Sequence, residues 1–337
     1  MYLNFKNHYV IVPLSIISLL ILASMLFTSL TSAELNLLVY VATDKKVYNQ
    51  GNIGEMVNIA GNVTLDGELV QTGLIAIEID GPTKILGIWT LPLSTYPGQY
   101  YIEIVNLFVC DENRQPLSCV EKGEQVYAYM EVANHGIYDK QLTFVITLVD
   151  KNHVPITPTR ISTLTVKAGY SSVYNPLLGR IPDWAATGTA YLYCGVYSSL
   201  PRNGGYPVCV GEEYPLDIVT SSSTSPITEA SSQNGTYNLN IRLPKVSEFE
   251  IGNYTVYAVA YSQGRIGSSS TTFSTKLLGD VDENGVVDIF DVTYVCILYE
   301  KTPEDPEWDP KCDLNQDNII DIYDLVMVCV NYGASTT

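Results

Sequence analysis

Near the C-terminus, two twelve-residue stretches place oxygen-bearing side chains at the same five positions. The first runs Asp280-Val-Asp282-Glu-Asn284-Gly285-Val286-Val-Asp288-Ile289-Phe290-Asp291. The second begins thirty-three residues later: Asp313-Leu-Asn315-Gln-Asp317-Asn318-Ile319-Ile-Asp321-Ile322-Tyr323-Asp324. In both, the oxygens fall at places one, three, five, nine and twelve. A hard divalent cation takes roughly six to eight oxygens, and alternate residues of a tightly curled loop direct theirs inward. The sixth place must turn with positive φ, which costs Gly285 nothing and suits Asn318 better than most side chains. The pattern predicts one calcium loop in each copy. So acidic a stretch has a plainer reading as disordered sequence, and two copies in register argue against it.

What surrounds the loops narrows the class. Each is followed by an apolar run, Val292–Tyr299 and Leu325–Tyr332, long enough for one short helix. No helix is expected before the first loop, because Ser268–Thr275 reads as a strand. Duplicated loop-plus-helix units that end in Asp, where paired EF-hand sensors use Glu, resemble the dockerin type I module of archaeal secreted proteins. The resemblance covers about 279–333. It implies that Asp280, Asp282, Asn284, Asp288 and Asp291, with the carbonyl of Val286, hold one calcium ion. Asp313, Asn315, Asp317, Asp321 and Asp324, with the carbonyl of Ile319, would hold a second. It also implies a module that folds on binding calcium and docks to a cohesin-like domain or another cell-surface protein. One departure stands out. The pair before the last ligand, often Ser/Thr in bacterial dockerins, is here Ile289-Phe290 and Ile322-Tyr323. These side chains either close the module core or form an apolar docking surface presented twice.

Charge and cysteine usage bound the setting. Residues 280–333 carry fourteen carboxylates and two lysines, a net of −12 out of −18 for the whole chain. Such a segment repels itself without a cation, which links folding to ion binding. No basic patch exists, so nucleic acid is not an expected partner. At the N-terminus, Lys6 and His8 precede an apolar stretch from Val10 to Phe27, and Thr31-Ser-Ala33 offers small residues at cleavage spacing. Residues 1–33 read as a secretory signal, with a retained anchor as the alternative. In a secreted or surface chain, seven cysteines point to disulfides. Cys110 and Cys119 flank one polar turn and Cys194 and Cys209 another, which suggests two local pairings. Three sequons, at Asn62, Asn234 and Asn253, are compatible with glycosylation.

The middle of the chain must position whatever the ends do. Its segments alternate apolar and polar residues, as in Met56–Thr64, Leu74–Ile79 and Tyr254–Tyr261, and no long amphipathic helix is expected. The class is mainly β: two immunoglobulin-like sandwiches plus the small helical calcium-binding module. Thr43–Tyr48, Gly54–Gly61, Asp66-Gly67 and Leu74–Ile79 together resemble the first half of a macroglobulin-like immunoglobulin-type domain. The remaining strands of such a domain occur only downstream, at Asn234–Pro244, Gly252–Val259 and Thr271–Phe273. We therefore expect a discontinuous sandwich of 34–98 and 222–277 that carries a second sandwich, 99–221, as an insertion. Three consecutive units are the alternative.

Catalytic motifs are lacking. Glu103, Glu131, Asp150 and Asp183 are scattered singly, where a glycosidase needs an acid and a base facing one sugar bond. His135 and His153 lie in polar turns, and Trp184 reads as packing before sugar stacking. The expected function is a non-catalytic exported or cell-surface adaptor. Its alternative is a component of extracellular polysaccharide breakdown, either a weak hydrolase or a carbohydrate-binding accessory subunit.

Overall fold

Nineteen strands and two α-helices appear in a computed structural model that describes residues 36–52, 54–94, 99–219, 232–233, 235–247 and 249–336. The expected signal, residues 1–33, lies outside the described residues. Among those described, no helix is long and apolar enough to cross a membrane.

The strands before the middle segment are β1 (Leu37–Thr43), β2 (Val47–Gln50), β3 (Met56–Leu65), β4 (Glu68–Leu69), β5 (Leu74–Asp80) and β6 (Ile85–Pro92). The middle segment holds β7 (Ile102–Cys110), β8 (Cys119–Glu121), β9 (Gln125–Asn134), β10 (Lys140–Val149), β11 (Arg160–Val166), β12 (Ser171–Tyr174), β13 (Leu177–Arg180), β14 (Gly188–Tyr197) and β15 (Glu212–Val219). Then follow β16 (Ser232–Gln233), β17 (Thr236–Arg242), β18 (Asn253–Ser262), β19 (Arg265–Leu277), α1 (Ile289–Ile297) and α2 (Ile322–Val330).

Strands from both ends of the chain interleave. One sheet has the order β1-β3-β17-β16, with β4 on β3, and its partner sheet has the order β2-β19-β18-β5-β6. β3 meets β17 from Met56↔Arg242 to Asn62↔Thr236, and β5 meets β18 from Leu74↔Tyr261 to Asp80↔Thr255. Leu93 and Gly235, on either side of the middle segment, are joined by a backbone hydrogen bond of 2.8 Å. The middle segment makes its own two sheets, β11-β10-β14-β15-β8 and a second built on β9 with β7, β12 and β13. Each pair of sheets encloses one apolar core, and we call the two units the outer and the inner sandwich.

Alternation explains which faces are buried. Val57, Ile59 and Val63 of β3 and Tyr237, Leu239 and Ile241 of β17 point into the outer core, and the residues between them do not. Phe273 stacks on Tyr254 at 5.0 Å and receives the edge of Tyr48 at 5.1 Å, an arrangement suited to the quadrupoles of the rings. Gly61 is required by close approach: a Cβ there would lie 1.9 Å from the Tyr40 carbonyl and 2.4 Å from the Tyr237 hydroxyl.

The two sandwiches share buried surface. Val149 of β10 enters the outer core, Tyr191 and Tyr193 pack against it, and Val145 and Tyr197 meet Ala76 and Ile88. A charged latch adds to this contact. Glu78 of β5 has no exposed surface. Its carboxylate accepts the Arg202 backbone N–H at 2.8 Å and faces the guanidinium at 3.4 Å, while that guanidinium also reaches Asp80 at 3.2 Å. Burial holds the Glu78 carboxyl above its ordinary range, against the pull of Arg202. Removing one member of such a pair strands the other in a poorly solvated place, at a cost of about 3 kcal/mol. Arg202→Ala is therefore expected to lower the free energy of unfolding measured in urea by that amount, and Arg202→Ala with Glu78→Gln to recover part of it. A single variant within about 0.5 kcal/mol of wild type would contradict the latch.

Candidate functional site

The two acidic stretches fold into loops with one and the same hydrogen-bond plan. In the first, Asp280 accepts the N–H groups of Asn284 and Gly285 at 3.0 and 2.9 Å. In the second, Asp313 accepts those of Asp317 and Asn318 at 3.2 and 3.0 Å. The fifth-place oxygens, on Asn284 and Asp317, accept the N–H groups of Val286 and Ile319 at 2.9 and 3.0 Å. Positive φ occurs at Gly285 (89°) and Asn318 (69°), the two places where the spacing demanded it. It occurs also at the fourth place, at Glu283 (61°) and Gln316 (63°), where the sequence gave no warning.

The helices start earlier than the apolar runs suggest. α1 begins at Ile289 and α2 at Ile322, so the last carboxylate of each loop lies in the first helical turn. A capping box explains the shift: Asp288 accepts the N–H of Phe290 at 2.8 Å, while Asp291 reaches back to the N–H of Asp288 at 2.7 Å. Asp321, Tyr323 and Asp324 repeat this at 2.8 and 2.8 Å. Negative charge is also favoured at a helix N-terminus.

Asp291 and Asp324 are completely buried. The other oxygen of Asp291 accepts the N–H groups of Val281 and Asp282 at 2.8 and 3.2 Å, and that of Asp324 those of Leu314 and Asn315 at 2.7 and 3.1 Å. Each closing carboxylate thus ties the start of its loop to the start of its helix. Ligand oxygens of Asp280, Asp282 and Asp291 lie within 4.8 Å of one another. Partial burial, together with the neighbouring Asp291 and Asp282, pushes the Asp280 carboxyl up despite its two N–H donors. A set of clustered hard oxygens whose charges oppose one another fits a divalent cation.

The halves are related by an approximate twofold. Val287 exchanges hydrogen bonds with Gly333 and Ala334 behind α2, and Ile320 does so with Glu300 and Lys301 behind α1. Both side chains are buried in a core shared with Val295, Val328 and Cys312. Val246, Ile251 and Leu277 of the outer sandwich join the same core. Asn331 locks this junction, accepting the Asn52 N–H at 2.8 Å and donating to the Met327 carbonyl at 2.8 Å.

The apolar pairs do not close this core. Ile289 and Phe290 are 55% and 66% exposed, and Ile322 and Tyr323 are 50% and 64% exposed. Ile297, Val326, Val330 and Tyr332 extend the exposed apolar surface.

All seven cysteines are thiols in this structure. Cys194 and Cys209 are both buried in the inner core, and burial pushes the Cys209 thiol up to about 12. Cys110 is buried and Cys119 exposed. Cys312 lies in the module core, whereas Cys296 and Cys329 are exposed. Asn253 is exposed at the start of β18, Asn62 is half-buried within β3, and Asn234 lies outside the described residues. Glu103 faces His135 at 2.8 Å on the surface. Glu131 accepts Ser171 and Asn106, and Asp150 is buried as the acceptor of three turn N–H groups.

No protein-family model and no curated protein sequence matches this chain. Among solved structures, the C-terminal domain of Wzt aligns with 37% of this chain and 77% of its own length, at 14% identity and a TM-score of 0.31. A β-glucuronidase from Bacteroides uniformis aligns with 52% of this chain and 27% of its own, at 10% identity and a TM-score of 0.28. A β-glucosidase from Erythrobacter marinus aligns with 39% and 17%, at 13% identity and a TM-score of 0.27. The chain thus spans about a quarter or less of the length of these glycosidases, and likeness at this level carries no functional argument.

Asp324→Ala removes the acceptor of the half-buried Leu314, Asn315 and Asp321 N–H groups, at about 1 kcal/mol for each lost hydrogen bond. At fixed divalent-ion concentration it should lower the unfolding temperature of the C-terminal module far more than Glu283→Ala, whose exposed carboxylate meets only Lys311. Equal effects in a thermal scan would contradict the assigned role. Peptide mass mapping of the full chain purified under oxidising conditions should find Cys194 joined to Cys209 and Cys110 to Cys119; four alkylatable thiols would refute both pairings.

Proposed function

We propose that the C-terminal module binds two calcium ions and docks a non-catalytic exported or cell-surface adaptor to a partner protein. The observation that carries this reading is the pair of buried closing carboxylates, Asp291 and Asp324, each set at a helix start, with the carboxylate oxygens of Asp280, Asp282 and Asp291 converging in the first loop. Asp280, Asp282, Asn284, Asp288, Asp291 and the Val286 carbonyl would hold one ion. Asp313, Asn315, Asp317, Asp321, Asp324 and the Ile319 carbonyl would hold the other. Bound calcium supplies the positive charge that offsets the clustered carboxylates. The chain's own residues convert that into structure, because the same carboxylates cap the helices and organise the loops.

The dockerin resemblance, the reciprocal pairing of the two halves and the exposed Ile289-Phe290 and Ile322-Tyr323 pairs support docking through the helix surfaces. The partner would be a cohesin-like domain or another surface protein with an apolar recess. We take the two sandwiches as immunoglobulin-like spacers that hold this surface away from the rest of the chain. Export agrees with the signal-like N-terminal sequence.

Far-UV circular dichroism and titration calorimetry of the full chain test the proposal. In chelator, helical signal should be lost while the β signal remains, and calcium should restore it with two ions bound per chain. Helicity unchanged in chelator, with no heat of calcium binding, would refute it. Phe290→Ser with Tyr323→Ser should abolish calcium-dependent capture of the surface partner while leaving calcium affinity intact.

A further inference from the structure

Between the two sandwiches lies a cleft of about 550 Å³. One wall is β6 from Ile88 to Pro92 and another is β17 from Asn238 to Ile241, and the inner sandwich adds side chains from β14 and β15. The volume is that of an ordinary small-molecule site, and a domain boundary is a common place for one.

Its chemistry is selective. Tyr191 and Tyr193 are two residues apart on one strand, so their rings leave it on the same face. Their centroids are 6.2 Å apart with planes tilted by 34°, and both pack on the outer core, which fixes them in place. Asn238 and Asn240 belong to an amide ladder: Asn58 donates to their oxygens at 2.9 and 2.7 Å, so both present NH₂ donors. Glu212 and Glu213 add acceptors, and Glu213 is hydrogen-bonded to the Tyr193 hydroxyl. No Lys or Arg lines the cleft, so an anionic ligand would find two glutamates and no counter-charge. Fixed aromatic faces combined with uncharged donors and strong acceptors complement a ring that has C–H faces and many hydroxyls.

We propose that this cleft binds a short neutral saccharide segment, stacked on Tyr191 and Tyr193 and hydrogen-bonded by Asn238, Asn240 and Glu212. The site needs both sandwiches: neither β14 nor β17 alone offers stacking and amide groups together. It is independent of the calcium reading, because none of its residues belongs to the C-terminal module.

Titration calorimetry on the full chain, with cellohexaose, xylohexaose and mannohexaose as probes, tests this in calcium and again in chelator. At least one probe should bind at one site per chain under both conditions. Tyr193→Ala should weaken that binding by about tenfold or more, and Tyr193→Phe by less than about threefold, since the phenyl face is kept. Asn240→Ala should weaken it as well, with circular dichroism confirming that each variant is folded. Absence of heat for all three probes overturns the proposal. Binding unchanged by both Tyr193→Ala and Asn240→Ala in folded protein overturns it too. Binding seen only in calcium would place the site on the module and also contradict the cleft.

Discussion

A carboxylate with no exposed surface must have its charge matched by nearby dipoles or cations, and Asp291 and Asp324 impose that requirement on the C-terminal module. Each meets it in part with three backbone N–H groups and a position in the first turn of a helix. Those bonds join the loop entrance, the loop exit and the helix start at one side chain. Neither the loop nor the helix is therefore free to form alone. In the proposed holo state the ions complete the neutralisation, which makes ligation and packing one process. With so few buried apolar residues in two nine-residue helices, a module of this size has little else to hold it.

The module does not hang free. Its core continues into the outer sandwich through Val246, Ile251 and Leu277, and Asn331 binds the Asn52 turn behind α2. A Cβ at Gly51 would approach the Asn331 side-chain oxygen to 2.2 Å, so this contact depends on a glycine. The outer sandwich is in turn fixed to the inner one by shared core residues and by the Glu78–Arg202 latch. A docking surface on α1 and α2 would accordingly be carried on a braced support. The same bracing holds the two walls of the inter-sandwich cleft at a set separation.

Sequence periodicity conveyed much of this, and its limits are physical. Alternation at Met56–Thr64 and Tyr254–Tyr261 marks strands because one face of each is buried, and these segments form β3 and β18. Loop spacing placed the turns at Gly285 and Asn318, since only a few residue types tolerate positive φ. The helix starts were less visible. The apolar run after the last ligand begins at Val292, yet α1 begins at Ile289, because Asp288 and Asp291 form a capping box there. Of the three cysteines in the module, Cys312 is buried while Cys296 and Cys329 are exposed, a difference that composition alone does not convey. The cleft was invisible in the sequence: His153, Tyr193, Glu212 and Asn240 are far apart along the chain, and only the closure of one sandwich against the other brings them to one cavity.

Native mass spectrometry of the intact chain counts directly the ions that the two loops are proposed to hold. Protein in a volatile buffer with saturating calcium should appear as a single species carrying two calcium ions. Asp291→Ala and Asp324→Ala should each lose one ion while the other is kept. A wild-type spectrum dominated by metal-free chain at saturating calcium, or a stoichiometry unaffected by both substitutions, would contradict the account.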